Sequence, residues 1–149
     1  MGSVYEDVKN MVVYETIFKR LMSIGIIDKD GKPQFTESLK LKSSGFMDLN
    51  LDFLFEEDGN YTIAMAHNYV QNGDVMADPD MEIRIIPSMK MAEALSFRQD
   101  GSIPINQHVY EELDGKTMVY PRLKKDLNRF LSGWLLNLKK QGFNNRTET

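Results

Sequence analysis

Residues 46–55 read FMDLNLDFLF, and the order of side chains in this run decides what the protein is built from. Met47, Leu49, Leu51, Phe53 and Phe55 occupy alternate positions, with Asp48, Asn50 and Asp52 between them. A period of two belongs to an extended strand with one dry side and one wet side. A helix would need its apolar residues at steps of about 3.6. The run is therefore a half-buried strand.

The same reading extends in both directions. EEDGN (56–60) carries Asp58-Gly59, the residue pair of a tight hairpin turn. YTIAMAHNYV (61–70) then places Tyr61, Ile63, Met65, His67 and Tyr69 on one face. NGDVMADPD (72–80) reads as a second connection, and MEIRII (81–86) as a strand with Met81, Ile83 and Ile85 in phase. MKMAEALSF (89–97) and INQHVY (105–110) add two more around the turn RQDGSIP. Upstream, FTESLKLK (35–42) alternates Phe35, Leu39 and Leu41 with polar residues. Strands joined by short turns, without helices between them, form an antiparallel meander.

Helical spacing appears at the two flanks. Val8, Met11, Val12, Phe18, Leu21 and Met22 define a helix over about 4–24, stopped at Gly25. Pro121 opens a second over about 121–142, with Leu123, Leu127, Phe130, Leu131, Trp134, Leu135 and Leu138 as one stripe. Gly142 is its cap, positioned for Phe143 to fold back on that stripe. The expected fold is α+β: a meander of about five to six strands (about 34–112), roofed on one face by both helices. One domain spans residues 1–149, with a loose tail at 144–149.

The totals narrow the function classes. A chain with 42% hydrophobic and 27% charged residues is an ordinary soluble composition. Without cysteine there is no disulfide framework, thiolate metal site or cysteine nucleophile, which fits a reducing cytoplasm. No signal-peptide order opens the chain, and no apolar run approaches the roughly 20 residues of a membrane span. Charge is uneven: residues 121–142 hold six Lys or Arg against one Asp, and the rest 12 against 21. A body of −9 thus carries a helix of +5.

Three groups of residues invite a chemical reading. Asp74, Asp78 and Asp80 form an acidic loop, but the EF-hand pattern needs a glutamate twelve positions into the loop, where Ile85 stands. A nuclease site would draw its carboxylates from separate strands, whereas these crowd one segment. Capping and solubilising a turn explains all three. His67 and Glu93 each interrupt an apolar face and would form a polar pair if their strands lay side by side. Arg122, Lys124, Lys125 and Arg129 crowd the start of the last helix, where the helix dipole disfavours cations. Either phosphate or the acidic body would compensate them. No nucleophile elbow, phosphate loop or zinc spacing occurs, so no catalytic residue, metal or cofactor is assigned.

MDLNLDFL (47–54), AHNYVQNGDVMADPDMEIRI (66–85), MAEALSF (91–97) and YPRLKKDLNRFLSGWLLNLKKQGF (120–143) together carry a likeness. Over about residues 46–143 the chain resembles a domain-of-unknown-function family of short bacterial proteins on plasmids, integrative elements and prophages. The resemblance implies a cytoplasmic accessory protein of a mobile element and carries no catalytic residue with it. The expected role is non-enzymatic contact with a protein partner, through the polar face of the sheet, an exposed edge strand or the acidic loops. The alternatives are a nucleic-acid-binding module using the basic helix face, and a small metal-dependent hydrolase or nuclease around His67, Glu93 and the acidic loop.

Overall fold

The computed structural model describes residues 4–143 and 145–148, with side chains described for 11–143. Helix α1 spans Val4–Ile24. Its end is a Schellman cap: Gly25 at φ 89° donates to the Met22 carbonyl, and Ile26 donates to that of Leu21. Ile17, Phe18 and Leu21 are buried, whereas Met11 and Val12, apolar at the same spacing, stay exposed.

Strands β1 (Ser38–Lys42), β2 (Leu49–Glu57), β3 (Asn60–Gln71) and β4 (Asp74–Ile86) follow. A 3-10 turn at Pro87–Met89 leads to β5 (Met91–Ala94) and β6 (Ser96–Gln99). Next come β7 (Ile105–His108), β8 (Tyr110–Leu113) and β9 (Lys116–Val119), then helix α2 (Pro121–Lys140) and β10 (Asn145–Glu148). The main sheet is antiparallel throughout, in the order β10-β1-β2-β3-β4-β6-β7, with β5 also paired to β4. Strands β8 and β9 form a separate two-stranded ribbon. The fold is α+β, as the periodicities predict.

Three two-residue turns repeat one solution. Asp58-Gly59, Asn72-Gly73 and Asp114-Gly115 each have both residues at positive φ, which matches the twist of antiparallel strands. The second turn corrects the expected connection at 72–80. Only Asn72 and Gly73 turn the chain; Asp74 pairs Gln71 and already belongs to β4. Asp78 and Pro79 sit where the register shifts between Ala66 and Asn68, a bulge that spares the ladder the missing proline N–H.

Other departures have equally local causes. A bulge between Phe53 and Phe55 flips the end of β2, so Phe55 is exposed although it shares the phase of Leu49 and Leu51. Met47 precedes the strand and is also exposed. The expected strand 89–97 breaks at Leu95 into β5 and β6, and Met89 lies in the 3-10 turn. The loose tail is a correction too: residues 145–148 pair with β1, since strand pairing uses backbone groups that need no apolar pattern. Residues 144 and 149 of that segment lie outside the described residues.

The core lies between one sheet face and both helices. Leu49, Leu51, Ile63, Met65, Met81, Ile83 and Ile85 meet Leu127, Leu131, Trp134, Leu135 and Leu138 there. Phe130, counted in the α2 stripe, is half out of the core but sets its ring edge-on to Phe97 at 5.3 Å. Arg20 ties the helices together by donating to the Ser132 carbonyl and hydroxyl at 2.7 Å. A second Schellman cap ends α2: Gly142 donates to Lys139 and Phe143 to Leu138, and Phe143 is buried.

Candidate functional site

The sheet face away from the helices is polar by the alternation that makes its other face a core. Strand order sets Asp52 of β2, Ala64 of β3 and Glu82 of β4 in one row, and Asp80, Arg98 and Asn106 in the next. The small Ala64 leaves room between its neighbours. The result is a hollow of about 500 Å³, lined also by Leu54, Ser96 and His108.

Charge in the hollow is unbalanced. Asp80 lies 3.8 Å from Arg98, which also sits 3.8 Å from Asp100. Burial pushes the Asp80 carboxyl above its ordinary range; Arg98 opposes the rise, and Glu82, Asp52 and Asp100 add to it. The Glu82 amide donates to Ser96 Oγ, which lies 3.3 Å from the Glu82 carboxylate. Three carboxylates thus face the hollow against one guanidinium.

A second polar group closes the sheet edge beneath the helices. Glu93 on β5 is buried, and Tyr110 donates its hydroxyl proton to Glu93 Oε1 at 2.5 Å. Lys124 Nζ in turn donates to the Tyr110 oxygen at 2.7 Å. Arg84 and Lys124 lie 3.6 and 3.8 Å from the Glu93 carboxylate. The Lys124 ammonium also sits over the rings of Tyr110 and Tyr14, at 5.1 and 5.5 Å. Burial, with the charge of Glu93, holds the Tyr14 hydroxyl up at about 12 and raises that of Tyr110 too. Both phenols stay neutral near pH 7, so Tyr110 keeps the proton it donates. Beside this group, buried Asn128 accepts the Ala94 N–H and donates to the Lys124 carbonyl, satisfying the β5 edge.

The structure does not pair His67 with Glu93. Glu93 is level with Arg84 and Thr62, and His67 lies five residues further along β3, about 16 Å away at strand rise. His67 Nδ1 instead faces the Asp48 carbonyl at 3.1 Å, between the rings of Trp134 and Phe143. A carbonyl only accepts, so Nδ1 carries the proton. Nor are Asp74, Asp78 and Asp80 a loop: all three stand on β4, and only Asp80 reaches the hollow. Among the described residues no three His, Asp or Glu side chains are grouped to hold a metal. The basic residues are divided as well. Lys124 turns inward to Glu93, Lys125 is half-buried, and Arg122 and Arg129 are exposed.

With this geometry in place, the comparisons add one assignment. Residues 16–144 match the family described as Domain of unknown function (DUF6908). The chain belongs to that family. No curated protein and no solved structure matches it. Among the described residues of this DUF6908 chain, no helix is long and apolar enough to cross a membrane.

Sequence reading missed most of the lining. Asp52 was visible as a polar residue between Leu51 and Phe53, but its approach to Asp80 depends on lateral strand order. The β8–β9 ribbon had a local signal, Asp114-Gly115 between extended segments, of the kind that marks the other two hairpins in this DUF6908 chain.

Proposed function

We propose that this protein is a non-enzymatic accessory protein that works by binding another protein. The β8–β9 ribbon is the observation that carries the reading. It stands outside the main sheet, and seven of its eight strand residues are exposed. Leu113, Met118 and the adjoining Tyr120 share one face of it by register and are each 47–48% exposed. A two-stranded ribbon is marginal by itself, and clustered exposed apolar side chains mark contact surfaces. Setting in the cytoplasm and on a mobile element belongs to this proposal too, supported by the resemblance and the cysteine-free composition.

The reading is tested by purification from the cells that carry the protein. A partner protein should co-purify and cross-link to residues 105–120. Leu113→Glu with Met118→Glu should lose it, while stability changes by no more than about 0.5 kcal/mol, as for other surface changes. Recovery of the same partner by both forms, or of the wild-type chain alone, refutes the proposal. Nucleic-acid binding through α2 is the weaker proposal, because Lys124 is engaged by Glu93 and Tyr110.

A further inference from the structure

Strand β7 ends the main sheet on the side opposite β10. Its four residues, Ile105 to His108, are all exposed. Among the described residues, their backbone groups pair with β6 and with no second strand. Exposed edges are commonly guarded by lysine, proline, an inward charge or a bulge. The run INQH has none of these.

Two hollows of different chemistry meet at this edge. Asn106 and His108 lie opposite Arg98 and Ser96 and line the carboxylate hollow of the open face. Gln107 lies opposite Phe97, on the helix side. There a trough of about 560 Å³, mostly apolar in lining, runs past Tyr110, Tyr120 and Leu123 with Glu111 and Glu112 at its margin, and His108 borders both spaces.

We propose that β7 accepts an extended segment of a partner protein as an added strand, and that this segment alternates basic and apolar side chains. The proposal rests on the protein-binding reading and names its mode. Successive side chains of an added strand point to opposite faces. One set would stand beside Asn106 and His108, at the rim of the hollow where three carboxylates face one guanidinium, and so takes Lys or Arg. The other set would enter the trough against Tyr110 and Leu123, and so is apolar. A second copy pairing through its own β7 would supply Ile, Asn, Gln and His instead, which adds no Lys or Arg to the one guanidinium, that of Arg98, facing the three carboxylates.

The test uses the full chain, isotope-labelled, with two synthetic octapeptides: alternating Lys and Val, and alternating Glu and Val. The Lys/Val peptide should slow amide exchange at residues 105–108 and leave the β10–β1 edge unchanged. The Glu/Val peptide should do neither. Asn106→Lys, which puts a guarding cation on the edge, should weaken Lys/Val binding about tenfold or more without altering the fold. Glu82→Lys should do the same from the floor of the hollow. Equal binding of both peptides, protection away from β7, an unaffected Asn106→Lys variant, or concentration-dependent slowing without peptide would each overturn the proposal. The ribbon variants separate the two ideas. If they lose the cellular partner while neither peptide protects β7, strand addition falls and protein binding stands.

Discussion

Along β3 and β4 the residues turned to the helices, Ile63, Met65, Met81, Ile83 and Ile85, are fully buried. Those between them, Ala64, Asp80, Glu82 and Arg84, make the open face. The strands and backbone ladder are the same, yet the two faces differ in what holds them. On the roofed face every side chain removed from water adds stability through the hydrophobic effect and close packing. On the open face the Asp80 carboxylate is partly desolvated beside other carboxylates, which opposes folding near neutral pH. The first face stabilises the protein, and the second carries in Asp80 a carboxyl whose presence stability does not explain.

The largest effect should come from the roofed face. Leu135 is fully buried among α2 and the sheet, so Leu135→Ala should cost about 2–5 kcal/mol in denaturant unfolding. A loss below about 1 kcal/mol would mean that the roof is not packed as described. The junction between the faces should come next. Tyr110→Phe removes the donor to buried Glu93 and the acceptor for Lys124, and should cost about 1–3 kcal/mol. An unchanged midpoint would show that the group contributes nothing to the edge.

The smallest effect, and opposite in sign, belongs to the open face. Because the folded Asp80 carboxyl is raised, the folded chain holds that proton more tightly than the unfolded chain does. The cost is therefore present above the raised value and disappears as pH falls below the ordinary 3.8. Asp80→Asn should be more stable than the parent at pH 7, and the gap should narrow by about pH 3. A parent that is the more stable at pH 7 would mean that Arg98 outweighs desolvation, erasing the contrast between the faces.

Several elements could be read directly because their causes are local. Alternation in 49–53 and 61–65, the Asp-Gly and Asn-Gly turns, and Gly25 and Gly142 as helix stops all act within a few residues. The open-face hollow could not be read in this way. Asp52, Glu82, Arg98 and His108 come from four strands, and no local pattern states which of them become neighbours. The same holds for Glu93: a buried carboxylate was visible in the apolar phase of its segment, but Tyr110 and Lys124 reach it from 17 and 31 residues downstream. Bulges at Phe53/Phe55 and Ala66/Asn68 each shift a register that simple alternation carries straight through.

The residues alone were enough to specify two amphipathic helices, an antiparallel meander and the dry side of its central strands. Backbone sterics and the burial of apolar side chains operate at spacings of two and 3.6 residues, so short stretches record them. Folding decided the rest: that His67 stays apart from Glu93, that the tail adds a strand, and that β7 is left as an edge between an acidic hollow and an apolar trough. These depend on lateral pairing between distant segments, where backbone hydrogen bonds are indifferent to side-chain identity and only the packed whole selects the neighbours.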